Sequence, residues 1–190
     1  MPPRSPALSL PKASSISARH SGGIGSNAAM HLVREGVISL VIADYDRVEK
    51  SNLERQFYFF DQIGLLKTDA LEINLKRINS DVVIHKVHEI INHQNVEEIF
   101  FNCQCVIEGF DLASNKTMLI NELANTGKII ISSNGVAGHF LGNISVRNIA
   151  ENVYVVGDGT EFPDSKNFCS TKVGTVAASM ANLALGKSHM

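Results

Sequence analysis

The chain has 190 residues and a net charge of −2, with 44% hydrophobic and 19% charged residues. This length and composition are ordinary for a globular domain with a core of its own. The small net charge offers no basic field for a nucleic-acid backbone, and no apolar run reaches the roughly 18 residues of a membrane span. We therefore expect neither a nucleic-acid nor a membrane partner.

Residues 1–21 differ in composition from everything that follows. They contain Pro, many Ser and no acidic residue, and the first acid of the chain is Glu35. Such a start is typical of an organelle transit peptide, and equally of a mis-called start, a frame-shifted leader or an expression scar. We predict an atypical leader over residues 1–21, disordered or mis-called, and one domain over residues 22–190.

Within this segment, residues 14–21 (SSISARHS) are too polar for the hydrophobic strand that should precede a glycine turn. His20 stands where the first glycine of G-x-G-G-x-G would be. A central strand carrying Ser, Arg and His would bury unpaired polar groups at about 1–3 kcal/mol each. The first strand is therefore predicted to be degraded or missing, so that these residues lie outside the sheet or weaken the domain.

From residue 22 onward the pattern becomes regular. Residues 26–35 have apolar residues at helical spacing and end at Gly36, which predicts a helix. Residues 37–43 are nearly all apolar and predict a buried parallel strand. Further helices are predicted over residues 67–78, 95–101, 115–125 and 171–185, and further strands over 82–87, 105–110, 128–133, 143–148 and 152–156. This alternation predicts an α/β, Rossmann-like, mostly parallel sheet with helices on both faces.

The first predicted helix is opened by G-G-I-G-S, with Gly23, Gly25 and Ser26 as its candidate phosphate-binding residues. Glycines let backbone N–H groups approach phosphates, and a helix N-terminus carries partial positive charge. Asp44 lies 19 residues after Gly25, at the end of the next strand, where an acid meets a ribose hydroxyl in dinucleotide folds. These features predict a nucleotide site, for NAD or for ATP.

A polar and cationic cluster follows Asp44. It contains Asn52, Arg55 and Gln56, with Lys67 further along the chain. An NAD enzyme has no need of cations just past the ribose acid, whereas an ATP site that releases pyrophosphate does. Arg55 and Lys67 are suited to neutralising charge on the triphosphate. Asn52 and Gln56 are suited to hydrogen bonds with phosphate or ribose oxygens.

Asp111 ends the predicted strand 105–110, at the carboxyl edge where ligands bind in such sheets. A carboxylate at this edge is suited to hold Mg²⁺ through water. Taken singly, Arg55 and Lys67 are also consistent with solvated surface charges, and Asp111 with a turn or helix-cap residue. Their common order and spacing favour the site.

These motifs together resemble the ThiF/MoeB family, which is similar to the adenylation domains of ubiquitin-activating enzymes. The matching pieces are G-G-I-G-S at residues 22–26, D-Y-D-x-V at 44–48, S-N-L-x-R-Q at 51–56, G-x-x-K at 64–67 and F-D at 110–111. The resemblance covers about residues 22–186. It is strongest to the short, zinc-free ThiF-type adenylyltransferases of thiamine synthesis, through residues 56–59, 108–111, 154–158 and the small-residue helix after Gly174.

The resemblance implies that ATP binds with its phosphates at residues 23–26 and its ribose at Asp44, with Mg²⁺ at Asp111. It assigns the triphosphate to Asn52, Arg55, Gln56 and Lys67. The implied partner is a small ubiquitin-like sulfur-carrier protein ending in Gly-Gly, whose C-terminal carboxylate becomes an acyl-adenylate before it receives sulfur. The carrier of the thiamine pathway is the first expectation and that of the molybdopterin pathway the second.

The family resemblance also implies a homodimer, in which many members donate an arginine across the interface from a helix ahead of the first strand. Arg4 and Arg19 are poor substitutes for it. The segment 133–140 near Asp111 is the expected partner surface. Two alternatives remain: a non-catalytic relative that binds a ubiquitin-like partner, and an NAD-dependent oxidoreductase.

The three cysteines are Cys103, Cys105 and Cys169. They form neither a disulfide framework nor the C-x-x-C pairs with which longer family members bind zinc, so no zinc is expected. Cys103 and Cys105 lie in an apolar run and are interpreted as packing residues. Cys169 does not stand where ubiquitin-activating relatives place their thioester cysteine. The sparse cysteines make a reducing compartment, and hence the cytoplasm, the simplest expectation.

Overall fold

The computed structural model describes residues 14–17, 22–138, 143–160 and 169–188. Its strands are β1 Ser14–Ser17, β2 Ser39–Ala43, β3 Val83–Val87, β4 Cys105–Glu108, β5 Ile129–Ser133, β6 Ser145–Ala150 and β7 Val153–Gly157. Its α-helices are α1 Gly22–Arg34, α2 Lys67–Ile78, α3 Val96–Ile99, α4 Ala113–Leu123 and α5 Ser170–Ser188. Single turns of 3-10 helix lie at Lys50–Asn52, Phe60–Gln62 and Ala124–Thr126.

The strands form one sheet in the order β3-β2-β1-β4-β5-β7-β6. The pairs from β3 to β7 are parallel, and β6 joins β7 in antiparallel pairing. Parallel strands of this kind are usually buried on both faces, because the helices that connect them cover the sheet. The predicted mostly parallel α/β sheet is thereby confirmed.

The core is divided between the two faces of this sheet. Successive side chains of a strand point to opposite faces, so Leu40 and Ile42 pack on one side while Val41 and Ala43 pack on the other. The first side is covered by α1, α2 and α5, and the second by α3 and α4. The prediction of helices on both faces is confirmed. None of the described helices is both long and apolar enough to cross a membrane.

Strand β1 is present at the centre of the sheet, between β2 and β4. Ile16 is in register with Ile42 on one side and with Ile107 on the other. The prediction that the first strand is missing is therefore wrong, because β2 and β4 both provide parallel pairing partners for this strand of four residues. The strand lies inside the segment 1–21, and a domain boundary at residue 22 stays a prediction. Arg4, Arg19 and His20 lie outside the described residues.

The remaining predicted helices and strands are all found. Helix α2 coincides with the predicted helix over residues 67–78, whereas α1 begins at Gly22 rather than at residue 26. The glycines thus form the first helical turn instead of a loop before it. One reason is packing: a Cβ atom on Gly23 would lie 2.9 Å from Val173 Cγ1, so glycine allows α5 to approach.

Cys103 and Cys105 are buried in the core, which confirms their interpretation as packing residues. Burial, together with the neighbouring Cys103, raises the pKa of the Cys105 thiol to about 12. A thiol of such high pKa carries almost no reactive thiolate at neutral pH. Cys169 is partly buried, and its Sγ lies 2.9 Å from Thr171 Oγ1.

Candidate functional site

The predicted site residues lie around the carboxyl edge of the sheet. Strands β2, β1 and β4 are parallel neighbours, so the segments that follow them leave the sheet at the same edge. Asp44 follows β2, helix α1 follows β1, and Asp111 lies in the turn after β4. In the strand order, the chain runs outward from β1 to β2 and β3 on one side and from β4 to β5 on the other. Open α/β sheets bind ligands in the crevice at such a switch point.

The first turn of α1 is held against the segment that carries the predicted cations. Gly23, Gly25 and Ser26 are all buried. Ser26 Oγ accepts a hydrogen bond from the backbone N–H of Phe57 at 3.0 Å. The predicted phosphate-binding turn is therefore fixed in place by residue 57.

Asn27 makes a second link between the same two segments. Its Nδ2 donates to the carbonyl oxygens of Gly23 at 2.7 Å and Arg55 at 2.8 Å. Asn27 is not among the residues predicted from the sequence, although its position directly after Ser26 in the glycine motif is a usable signal. The predicted neighbours Gly23 and Arg55 are thus brought together through a side chain that was overlooked.

Lys67 is the first residue of α2 and only 3% of it is exposed. Its Nζ lies 3.0 Å from Asp46 Oδ2 and 3.8 Å from Asp44 Oδ2. Asp44 Oδ1 in turn accepts a hydrogen bond from the Asp46 N–H at 2.8 Å. The structure therefore brings Asp44 and Lys67 together in one charge cluster, and it adds the partly buried Asp46, which was not predicted as a site residue.

Tyr58 borders this cluster and is 6% exposed. Burial, with the charges of Asp44 and Asp46, raises the pKa of its phenol well above the ordinary value. The phenol therefore stays neutral at neutral pH.

Gln56 has an environment unlike that of its neighbours. It is 5% exposed, and neither its amide oxygen nor its amide nitrogen has a hydrogen-bond partner among the described residues. A buried polar group without a partner costs about 1–3 kcal/mol. Buried amides are normally satisfied, so this amide has the capacity to bond a water molecule or a polar ligand.

Asn52 and Arg55 also make local contacts. Asn52 Oδ1 accepts a hydrogen bond from the backbone N–H of Glu49 at 3.0 Å, which closes the 3-10 turn. Arg55 Nη1 donates to the carbonyl oxygen of Ser51 at 3.0 Å and forms an ion pair with Glu54. Both residues therefore shape the segment before Gln56, and their predicted contacts with a ligand stay predictions.

Asp111 is exposed, and the turn before it is built on a buried carboxylate. Glu108 is fully buried and accepts a hydrogen bond from the backbone N–H of Phe110. Lys116 Nζ lies 3.2 Å and 3.1 Å from the two Glu108 oxygens, and Ser132 Oγ donates to Oε2 at 2.5 Å. This network fixes the chain immediately before Asp111. Lys116 was not identified from the sequence.

Comparison with known proteins gives a consistent family. A profile of the ThiF family matches residues 13–187. The chain is 49% identical to ubiquitin-like modifier-activating enzyme 5 of Arabidopsis thaliana over 63 residues. These residues are 33% of this chain and 15% of that protein. The chain is 30% identical to the adenylyltransferase and sulfurtransferase UBA4 of Eremothecium gossypii over 128 residues. These residues are 67% of this chain and 28% of that protein. The chain thus spans less than a third of the length of these two relatives.

Among solved structures, the fold is similar to that of E. coli tRNA N6-threonylcarbamoyladenosine dehydratase, TcdA, in complex with AMP. The TM-score is 0.82 at 21% sequence identity, over 93% of this chain and 86% of the other. At this identity the likeness concerns the fold. The profile match covers most of the chain, including β1, and with the motifs around Asp44 and Lys67 it shows that this protein belongs to the ThiF family.

Proposed function

We propose that this protein uses ATP to adenylate the C-terminal glycine of a small ubiquitin-like sulfur-carrier protein ending in Gly-Gly. The products are an acyl-adenylate and pyrophosphate, ahead of thiocarboxylate formation in thiamine biosynthesis. The observation that carries the proposal is the buried amide of Gln56, which has no partner among the described residues and lies in the segment held against the first turn of α1.

The nucleotide is assigned to the β1–β2 side of the edge. The first turn of α1, with Gly23, Gly25 and Ser26, carries the partial positive charge and the first-turn N–H groups typical of a helix N-terminus, and these features bind phosphates. Asp44 follows β2, at the position of a ribose-binding acid. The chain's similarity to UBA4, an adenylyltransferase by name, and to TcdA solved with AMP supports an adenylyl nucleotide here.

Positive charge is supplied by Arg55, whose side chain lies near Gly23, and by Lys67, which lies beside Asp44. Asn52 and Gln56 supply hydrogen-bonding amides. An oxygen of the carrier carboxylate attacks the α-phosphorus of ATP, and the bond from that phosphorus to the bridging oxygen breaks, so that pyrophosphate leaves. Negative charge grows on the departing phosphates, where a fixed cation stabilises the transition state more than the ground state. Holding the two substrates in line supplies most of the remaining rate, and no protein nucleophile is required.

Mg²⁺ is assigned to Asp111, and the residues present fit a particular mode of binding. Over residues 14–17, 22–138, 143–160 and 169–188, no three His, Cys, Asp or Glu side chains are grouped as a complete metal site. Mg²⁺ commonly binds one or two carboxylates together with substrate phosphates and water, rather than an all-protein cage. Asp111 would therefore hold the ion jointly with the nucleotide, where it neutralises phosphate charge. We propose no zinc.

The direct test is ATP–pyrophosphate exchange, measured with and without a sulfur-carrier protein that ends in Gly-Gly. Carrier-dependent exchange that is lost in Arg55→Ala and Lys67→Ala supports adenylation at this site. Lys76→Ala is the matched control, because Lys76 lies on the same helix as Lys67 and pairs only at the surface with Glu72. Exchange that survives in Lys67→Ala would contradict the assignment of the site.

A second candidate function is a non-catalytic family member that binds a ubiquitin-like partner without turnover. The ion pair of Arg55 with Glu54 favours it, because this guanidinium is already engaged. Binding of the carrier without exchange, from a folded protein, would establish this alternative. A carrier from the thiamine pathway and one from the molybdopterin pathway, compared in the same assay, would identify the preferred partner.

A homodimer and a cytoplasmic location complete the proposal. A second copy that completes the site would make exchange activity depend on protein concentration, and sedimentation measures the association directly. The proposed partner surface over residues 133–140 is described as far as residue 138, and residues 139 and 140 lie outside the described part.

A further inference from the structure

Lys172 is a fully buried lysine that the proposed chemistry does not use. It lies in the first turn of α5, and its Nζ donates to Asp158 Oδ2 at 2.6 Å and to the carbonyl oxygen of Ala137 at 2.7 Å. Asp158 directly follows β7, and Ala137 lies in the segment after β5. One ammonium group therefore joins three separate segments at the carboxyl edge of the sheet.

The position is unfavourable for a cation in two respects. Removing an ammonium from water is costly, and the N-terminal turn of a helix carries partial positive charge that repels it. Asp158 offsets both effects because its side chain, 6% exposed, brings a negative charge to the same turn. A buried ion pair is weak evidence for stability, since apolar residues of similar size often do as well. Its directional bonds do, however, fix where the joined segments lie.

The two segments joined by Lys172 are in very close contact. Gly135 has φ of 76°, and a Cβ atom there would lie 2.1 Å from Asp158 Oδ1. A Cβ atom on Gly157 would lie 1.7 Å from the carbonyl oxygen of Asn134. Glycine is therefore required at both positions, and residues 134–138 have little room to shift relative to the segment after β7.

The same turn of α5 also reaches the proposed nucleotide turn. Val173, the residue after Lys172, packs directly against Gly23. A Cβ atom on Gly23 would lie only 2.9 Å from Val173 Cγ1. Strands β1 and β2 carry the nucleotide side of the edge, and β5 and β7 lie beyond β4 on the other side of the switch point. The first turn of α5 thus contacts both sides of the crevice.

We propose that Lys172, Asp158 and the Ala137 carbonyl form a positioning clasp for the protein substrate. The clasp holds residues 134–138 on the side of the crevice opposite the nucleotide, so that the incoming carboxylate meets the α-phosphate at a fixed distance and angle. The proposal rests on the proposed function for its substrate. Lys172 is a positioning residue, because it acts through the segment that it anchors and does not contact the reacting atoms.

The clasp is tested with Lys172→Met, which keeps much of the side-chain volume and removes the charge. Three quantities are measured: KM and kcat for the carrier protein in pyrophosphate exchange, the affinity for ATP by calorimetry, and amide hydrogen exchange over residues 134–138. A small displacement of a reacting group lowers rates by up to about a hundredfold. We expect kcat/KM for the carrier to fall at least about tenfold, faster amide exchange, and ATP affinity within about twofold of wild type.

Lys172→Arg provides the conservative rescue, because it restores the charge and recovers part of the loss. Lys187→Met is the matched control, since Lys187 lies near the far end of the same helix, over the Tyr154 ring at 5.0 Å. If Lys172→Met does not fold, Lys172→Arg is compared with wild type in its place, and its altered geometry is expected to lower kcat/KM for the carrier by a smaller factor with ATP affinity retained.

Amide exchange over residues 134–138 that equals wild type, in a folded variant, would overturn the clasp. Equal losses in ATP affinity and in carrier kinetics would also overturn it, because they would show a general loss of structure. If the wild-type protein shows no carrier-dependent pyrophosphate exchange, the proposed function fails. Amide hydrogen exchange then still decides whether the clasp holds residues 134–138.

Discussion

Lys67 and Lys172 are both buried lysines at the same edge of the sheet, yet their surroundings differ. Lys67 faces Asp46, whose side chain is 22% exposed, and it belongs to the same predicted site as Gln56, whose amide has no partner among the described residues. Lys172 bonds to Asp158 and to a main-chain carbonyl in an interlocked pair of segments. The β1–β2 side therefore keeps hydrogen-bonding capacity for a ligand, whereas the β5–β7 side uses its polar groups to hold its own shape.

The largest effect on stability is expected where the ion pair of Lys172 with Asp158 is broken. Asp158→Ala leaves the Lys172 ammonium buried without its carboxylate, and loss of one partner of a buried pair costs about 3–5 kcal/mol of unfolding free energy. Urea denaturation measures this value. The double variant Asp158→Ala with Lys172→Met should recover much of the loss, because no charge is then left buried. A loss below about 1 kcal/mol in the single variant would show that the pair behaves like a surface salt bridge.

On the nucleotide side, the largest effect is expected on rate. Lys67→Ala removes the buried cation beside Asp44 and Asp46. Loss of one group that stabilises transition-state charge lowers kcat by about 10²–10³-fold. Single-turnover formation of the acyl-adenylate measures the effect on the chemical step. Lys76→Ala should leave the rate unchanged, and an equal loss in both variants would mean that the helix rather than the charge matters.

Gln56 allows a test in which stability and affinity change in opposite directions. Gln56→Met removes two buried polar atoms without a described partner, and relieving such a group is expected to raise the unfolding free energy by about 1–3 kcal/mol. ATP affinity should fall at the same time, because the ligand loses the hydrogen bonds that the amide supplied. Calorimetry on the folded variant measures both quantities. A variant that is less stable and binds ATP normally would exclude Gln56 from the site.

A smaller effect is expected on how the unfolding free energy changes at acidic pH. Burial by itself would raise the pKa of Asp158, but hydrogen bonds from Lys172 and Thr160 outweigh it and lower the pKa from 3.8 to about 2. The folded state therefore binds this proton less readily than the unfolded chain does. The stability that Asp158 contributes is complete above about pH 4 and is lost as the pH falls toward 2.

The measurement is unfolding free energy against pH for wild type and Asp158→Asn. The variant should show a shallower decrease between about pH 4 and pH 2, since it lacks the group whose protonation weakens the folded state. Identical slopes for the two proteins in that range would mean that other carboxylates produce the acid sensitivity.

Much of the fold could be predicted from the sequence, because strands and helices with strong periodicity dominate it. Helix α2 matched the predicted range since its buried positions recur at helical spacing from Thr68 to Leu75. The predicted start of α1 is four residues too late, at 26 instead of Gly22, because glycine has low helix propensity and the packing of Gly23 against Val173 is a tertiary contact. Strand β1 was underestimated because sheet pairing on both sides outweighs its polar composition.

The site could be predicted only where its residues belong to one local motif. Asp44 and Lys67 were found because they follow a strand and begin a helix in a recognisable order. The partners of Lys172 lie 14 and 35 residues away in sequence, at Asp158 and Ala137, and no local pattern connects them. Glu108 and Lys116 likewise come into contact only because the chain turns between β4 and α4. Contacts of this kind depend on which strands become neighbours, and composition does not determine that.

The placement of β1 has a consequence for how the chain folds. Among the described strands, this short strand is the only one that pairs with both β2 and β4, and it pairs Ser14 with Cys105, far away in sequence. Closing so long a loop costs entropy before the pairing returns any energy, so distant strand pairs form late. We expect the two halves of the sheet to collapse first around their own helices. Pairing of β1 with both β2 and β4 then becomes the slow step, which makes the domain fold cooperatively.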